Sequence, residues 1–335
     1  MNTAATHHKL KEKVVEKFLT NGVREEEAKI IADVLVHANL RGVDSHGVLR
    51  VEHYIKRIQA GGLNIEAYPT LEETSDHTCI YDGDNGFGHV ISKRAMDKAI
   101  AMAKDSGIGS VGVKNSSHCG ALSYFVNQAV EEKLIGIAMS HTDKVVVPFG
   151  GAEPFFGTNP IAFGFPTKEE KSVVLDLATS NVALGKILDA QEKGEKIPHG
   201  WGVDENGAST NDPDQVSFLS PFGGAKGYGL AFVVEVFSAL LTGSAFGPHV
   251  SKMYGDYAQY RGLGHFFMVI NPEKFEVMNS FLGNMDQMIR EIHSVKPAES
   301  VERVMVPGEP ETLEEERRKE NGIPLPKHIW DYLNE

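Results

Sequence analysis

Two cysteines in 335 residues, Cys79 and Cys119, are too few for a disulfide framework and too widely spaced for a zinc ligand set. Positive charge is also short. Thirty-three Lys and Arg stand against 46 Asp and Glu, a net charge of −13. That balance argues against nucleic acid or an anionic membrane as a main partner. An acidic protein that binds anions must gather its few cations locally, so each Arg and Lys carries more information. Long hydrophobic runs are missing too: the longest, Gly229 to Gly243, contains Glu235 and is too short to span a bilayer. Met1 to Lys13 is polar, with no apolar signal-peptide core, and a soluble cytoplasmic protein is expected. The fourteen histidines include no H-E-x-x-H pair, so no metal site is expected.

What is there is an ordinary globular composition, 41% hydrophobic and 24% charged. The length exceeds the roughly 250–300 residues that one core usually supports, so two lobes are expected. Residues 8–40 read as two helices broken near Asn21-Gly22, the second with acids crowding its first turn. A further helix is expected from His46 to Gly61-Gly62, and another over 91–105. From residue 108 short β-type runs dominate: Ser110–Lys114, Ile135–Ser140, Ile161–Phe165, Val173–Leu177 and Gly264–Ile270. Helices are expected near 121–132, over 181–192 and after the glycine cluster at 223–229. Residues 195–218 read as a long excursion punctuated by Gly, Asn, Asp and Pro. The charged run Glu311–Lys319 reads as a solvated helix face.

Candidate chemistry begins at Arg41-Gly-Val-Asp-Ser-His-Gly-Val-Leu-Arg50. Gly42 can stop one helix and Asp44 or Ser45 can cap the next. On that helix His46, Arg50 and Tyr54 fall at i, i+4 and i+8, one face carrying an imidazole, a guanidinium and a phenol. That set suits a small carboxylate whose neighbouring hydroxyl or carbonyl exchanges a proton. His118, in Asn115-Ser-Ser-His-Cys-Gly120, sits after a strand and before a helix, where α/β proteins place chemistry, and can act as a general base. A capping or packing histidine is the alternative there. Asn159 can hold a carboxylate or amide, or simply make an Asn-Pro turn. Phe222-Gly-Gly-Ala-Lys-Gly-Tyr-Gly-Leu230 can cradle an anion at a helix N-terminus through its glycine amides and Lys226, although it lacks Walker spacing. Asp176, ending the 173–177 strand, can bond ribose hydroxyls; Thr179 or Ser180 can equally be a cap. Gly107-Ile-Gly-Ser-Val-Gly112 matches a dinucleotide fingerprint in letters only. A helix precedes it and a strand follows, the reverse of the required order, so Gly107 is read as a helix C-cap.

Together these segments resemble the malate/L-lactate dehydrogenase family that is distinct from the Rossmann enzymes. Arg41-Gly-Val-Asp-Ser-His-Gly, Pro148-Phe-Gly-Gly, Gly157-Thr-Asn-Pro, Asp176-Leu-Ala, Lys226-Gly-Tyr-Gly-Leu and Phe246-Gly-Pro-His-Val-Ser-Lys-Met-Tyr fall in the family's order. The likeness covers nearly the whole chain. Ser117–Val126 and Val146–Glu153 resemble the ureidoglycolate-oxidising branch, whereas Asp44 is familiar from the malate-type branch. The resemblance implies an α/β (α+β) fold. Its parts are a non-Rossmann NAD(P)-binding domain with a mixed sheet, residues 111–274, and a helical substrate-binding and dimerisation region, residues 1–110 with 275–335. It implies a homodimer or dimer-based oligomer and NAD-dependent oxidation of (S)-ureidoglycolate to oxalurate, with NADP as the cofactor alternative. Malate, L-lactate or another 2-hydroxy acid is the substrate alternative, and a non-catalytic small-anion-binding protein the remote one. The implied catalytic residues are His118 and His46, and the implied substrate contacts Ser45, Arg50, Tyr54 and Asn159. The implied cofactor contacts are Thr142, Asp176, Leu177, Ala178, Lys226, Pro307, Gly308 and Glu309.

Overall fold

The computed structural model describes residues 2–335. The chain opens with strand β1 (Asn2–Ala5) and helices α1 (His7–Leu19), α2 (Glu25–Leu40) and α3 (Val51–Ala60). A hairpin, β2 (Thr70–Ser75) and β3 (Thr78–Asp82), leads to helix α4 (Gly88–Ser106), strand β4 (Ile108–Ser116) and helix α5 (Ser123–Glu131). Strands β5 (Ile135–Ser140), β6 (Ile161–Phe165) and β7 (Val173–Leu177) follow, then α6 (Leu184–Lys193). Three two-residue strands, β8 (Gly202–Val203), β9 (Ser209–Thr210) and β10 (Phe218–Leu219), precede α7 (Ala225–Glu235), which runs on into a π-helical turn, Val236–Leu240. Strand β11 (Leu263–Ile270), helices α8 (Met278–Ser294) and α9 (Glu309–Asn321), strand β12 (Ile323–Pro326) and helix α10 (Lys327–Asn334) complete the chain.

Two lobes result. The chain's two ends meet where β1 pairs antiparallel with β12, and α1, α2, α3 and α10 enclose one core around Leu10, Val14, Phe18, Ile31, Leu35 and Val51. Each fully buried side chain of that size contributes about 1.5–3 kcal/mol. The other lobe is a seven-stranded mixed sheet, order β2-β3-β4-β11-β5-β6-β7, with α4 and α5 packed on it through Ile91, Met96, Phe125 and Val126. Only β3 and β4 are parallel neighbours. The sheet starts before the expected boundary at residue 111: β2, β3 and α4 belong to it. Likewise α8 packs on the β7 edge, Ile289 against Val173, rather than in the helical lobe.

The short pieces deviate most from expectation. The excursion at 195–218 forms a small sheet, β10-β8-β9, whose strands are too short to show a period. Gly107 caps α4 in the left-handed region, φ 94°, and β4 follows directly. Among the described residues no helix is long and apolar enough to cross a membrane.

The topology positions the site. Strands β4, β5 and β7 run in one direction while β11 and β6 run against them, so three strand exits and two strand entries share one sheet edge. Ser116-Ser117-His118, His141-Thr142, Asp176–Ala178 and Asn159 all lie along it, and there His118 meets His46 and Tyr54 of the helical lobe.

Candidate active site

The expected helix from His46 does not form as one piece. Asp44–His46 and Val48–Arg50 are separate 3-10 turns and α3 begins only at Val51. The cause is Gly47, extended at φ −90°, ψ −154°. A Cβ there would collide with the Asn39 side-chain amide, which lies against the glycine. Asn39 Oδ1 accepts the Val48 N–H at 2.8 Å, the capping role expected of Asp44 or Ser45. Asp44 instead accepts from Asn39 at 2.6 Å and pairs with buried Arg318 at 2.6 Å, tying this loop to α9.

The polar groups still converge, through the break rather than along a helix face. The His46 ring stacks on His118, with centroids 5.5 Å apart and 25° between planes. Tyr54, 1% exposed, places its hydroxyl 2.7 Å from His118 Nδ1, and the Gly120 N–H donates to that nitrogen at 3.3 Å. Ser45 Oγ lies 3.0 Å from His46 Nδ1. Arg50 donates through Nε to the Ser45 carbonyl at 2.7 Å and touches the Tyr254 hydroxyl. His46, Arg50 and His118 are half-buried where residues 44–57 meet the end of β4.

Electrostatics keep both imidazoles neutral. Burial, then the Arg50 charge, pulls His46 down to about 4. His118 lies well below the ordinary histidine value, first by burial and then by His46, Arg50, His89 and Arg261. Burial pushes the Tyr54 phenol up, so it stays protonated. Arg261, 4% exposed, pairs with Asp143 at 2.7 Å while its Nε and Nη1 have no partner among the described residues. Neither Arg261 nor Asp143 stood out in the sequence, because their pairing spans 118 positions and marks no motif.

Asn159 sits apart from the histidines in its bonding. Fully buried at φ 37°, it donates to Glu235 Oε2 at 2.7 Å and to the Ala231 carbonyl at 3.1 Å, fastening β6 to α7. Burial raises the Glu235 carboxyl, which the Gly247 and Asn159 donors oppose.

Of the expected cofactor residues, Thr142 and Asp176–Ala178 lie at the exits of β5 and β7. Thr142 lies two residues past β5 and accepts the Thr158 N–H at 3.3 Å. Asp176 takes the Ser123 N–H on Oδ2 at 2.7 Å at the start of α5, and Oδ1 has no hydrogen bond among the described residues. Leu177 and Ala178 follow, half-buried. Gly308, at φ 79°, opens α9 and packs so closely on β7 that a Cβ would strike the Val174 carbonyl. Pro307 beside it is exposed, and Arg41 donates to the Gly308 carbonyl at 3.3 Å. Glu309 is held by Arg303 at 2.5 Å and His293 at 2.9 Å. Lys226, exposed in the first turn of α7 with no ion pair among the described residues, is carried to this edge by the Phe222 N–H bond to Thr179.

A cavity of about 440 Å³ lies between the Pro148–Ala152 loop, the small sheet and the α7 N-terminus, and no charged side chain lines it. His46, Tyr54 and His118 are not in its wall.

The malate/L-lactate dehydrogenase family model matches residues 5–334. The ureidoglycolate dehydrogenase (NAD(+)) of Escherichia coli O157:H7 is 42% identical over 317 residues, covering 95% of this chain and 91% of that protein. The malate dehydrogenase of Pyrococcus abyssi is 40% identical over 324 residues, covering 94% and 88%. The sulfolactate dehydrogenase structure from Methanocaldococcus jannaschii superposes with a TM-score of 0.94 at 37% identity, covering 99% of this chain and 95% of that one.

Proposed function

Because the chain belongs to the malate/L-lactate dehydrogenase family, a family of dehydrogenases acting on small 2-hydroxy acids, we propose that it oxidises (S)-ureidoglycolate to oxalurate with NAD. The observation that carries the acid–base assignment is the 2.7 Å contact of Tyr54 with His118 Nδ1, beside His46 and Arg50. Substrate identity rests on the likeness of residues 117–126 and 146–153 to the ureidoglycolate branch, and on the NAD-dependent relative at 42% identity.

The residues divide the work. Arg50 receives the substrate carboxylate in a charge-assisted pair, with Ser45 fixing the guanidinium through its carbonyl. His118 exchanges the hydroxyl proton through Nε2, since Tyr54 and Gly120 take up Nδ1. The Tyr54 hydroxyl can donate or accept, so it supports either imidazole tautomer. With Nδ1–H donated to Tyr54, Nε2 is a lone pair that takes the proton. The imidazolium so formed, its Nδ1–H still held by Tyr54, returns the Nε2 proton to a 2-oxo group in the reverse direction. The arriving carboxylate neutralises Arg50 and so lifts one of the charges that hold His118 down. His46, stacked on His118, orients the substrate oxygen. Tyr54 thereby acts on His118 rather than on the carboxylate.

The edge residues fit a dinucleotide: an acid with an unused oxygen, a helix N-terminus opened by glycine, and an unpaired lysine. Thr142, Asp176–Ala178, Lys226 and Pro307–Glu309 would hold the nicotinamide cofactor, which supplies hydride acceptance. The unused Asp176 oxygen suits a ribose hydroxyl and opposes a 2′-phosphate, favouring NAD over NADP. Beyond Lys226 in its first turn, α7 carries little polarity on its exposed side, and Leu230, Phe232 and Val233, with Leu240 and Leu241 beyond, remain exposed. Such a helix wants cover, which supports a homodimer through this face.

A dianionic substrate, malate or sulfolactate, is the second reading. It is favoured by Arg261, whose two partnerless nitrogens suit another acid group. Incubation with (S)-ureidoglycolate and NAD tests the first reading: one oxalurate per reduced nicotinamide is expected by mass spectrometry. Reduction of NAD with malate but not with ureidoglycolate supports the second and rejects the first.

A further inference from the structure

Arg57, three residues after Tyr54 on α3, is 1% exposed, and no carboxylate bonds it among the described residues. A guanidinium so buried needs its donors satisfied. Nη1 donates to the Gln259 carbonyl, Nη2 to the Lys252 and Met253 carbonyls, all at 2.9 Å, and Nε to His53 Nε2 at 3.3 Å. The three carbonyls belong to one segment, residues 251–260, which crosses from the Gly247–His249 turn to β11 and is mostly exposed.

That segment is fastened to both lobes. On the helical side Arg57 holds both its ends, and Gly62 lies so close that a Cβ would strike the Tyr257 carbonyl. On the sheet side Asp143, next to Thr142, accepts the Met253 N–H at 3.2 Å and pairs with Arg261 at 2.7 Å. Between these hooks the Tyr254 hydroxyl touches Arg50, and the Tyr254 and Tyr257 rings flank His53 at 5.2 and 5.5 Å.

We propose that Arg57 is a positioning residue that holds the 251–260 strap, thereby setting Tyr254 against Arg50 and fixing the carboxylate-binding guanidinium relative to the Thr142 edge. This rests on the reading that Arg50 grips the substrate carboxylate. Arg57→Met keeps bulk but releases three carbonyls; Gly62→Ala leaves Arg57 intact and displaces the strap at Tyr257. Both are compared with Arg50→Met, using the hydroxy acid turned over best and oxamate, an inert 2-oxo acid mimic, as a binding probe. Each of the two strap variants is expected to raise KM and the oxamate dissociation constant roughly 10- to 100-fold, with cofactor affinity unchanged. A merely structural role would lower the active fraction and kcat while leaving KM and oxamate affinity in place. If Arg57→Met fails to fold, Gly62→Ala carries the test, because it removes no buried charge. Weak oxamate binding in Arg50→Met with normal binding in Gly62→Ala overturns the strap proposal and leaves the carboxylate reading standing. Normal binding in Arg50→Met overturns the carboxylate reading itself.

Discussion

Tyr54→Phe is the sharpest single perturbation of the proposed chemistry. It removes one oxygen, the one 2.7 Å from His118 Nδ1, and keeps the ring that packs against Phe18 and His89 at 6.5 and 5.0 Å. His118 Nδ1 is then left with the Gly120 N–H at 3.3 Å, which can only donate and supports only one tautomer. A buried polar group left without its partner costs about 1–3 kcal/mol. If that cost falls on the proton-transfer step, kcat drops roughly 5- to 150-fold. KM for the hydroxy acid stays near its original value, because the phenol is engaged by His118 and the carboxylate by Arg50. The assay is initial-rate formation of reduced nicotinamide with substrate carrying protium or deuterium at C2, beside a thermal melt that checks folding. The isotope effect on kcat should rise as chemistry becomes limiting. A kcat within about twofold of the parent, with an unchanged isotope effect, would refute the reversible-partner role of Tyr54.

Further outcomes follow from the same geometry. His118→Ala should lower kcat roughly 10²- to 10⁴-fold, and a near-normal rate would move the proton exchange to another group. Arg50→Lys should raise KM with little change in kcat, since an ammonium cannot make the bidentate pair; an unaltered KM argues against the contact. His89, His141 and His265 are fully buried with pKa values lowered to about 3, 3 and 4 from 6.5. The unfolded chain binds protons that the folded one refuses, so stability is full above pH 6.5 and falls toward pH 4. The slope is about 1.4 kcal/mol per pH unit for each group, roughly 4 for the three, and denaturant titrations across that range should show it. Asp44→His should lower the melting temperature by removing one of the two carboxylates that pair with buried Arg318, without changing the ranking of substrates, because Asp44 pairs with Arg318 instead of reaching the histidine cluster. A changed ranking would place Asp44 in substrate selection.

The longer elements were legible because their patterns are local. Alternating or continuous apolar runs announced β4, β5, β6, β7 and β11, and Gly107 announced the end of α4. The false dinucleotide fingerprint was rejected on element order alone. The break at Gly47 was not legible, since Asn39, eight residues earlier, imposes it through space. The first arm of the β2–β3 hairpin was not legible, because Thr70–Ser75 is exposed throughout and carries no alternation. His46, Arg50, Tyr54 and His118 stood out by residue type and motif, but the 64-residue span between Tyr54 and His118 is closed only by the fold. Asn159 could be read as a turn or a ligand; its buried bond to Glu235, 76 residues on, is invisible in sequence. The strap's attachment to Arg57 spans about two hundred residues and leaves no local trace.

The central claim concerns which hydroxy acid this site oxidises, and a ratio of specificity constants tests it most directly. With NAD in excess, kcat/KM is measured for (S)-ureidoglycolate, malate, sulfolactate and L-lactate on one preparation. The account predicts the highest value for ureidoglycolate, by roughly tenfold or more over malate, a difference of about 1.4 kcal/mol in transition-state stabilisation. A higher value for malate or sulfolactate, or no reduced nicotinamide with any of the four, would contradict it.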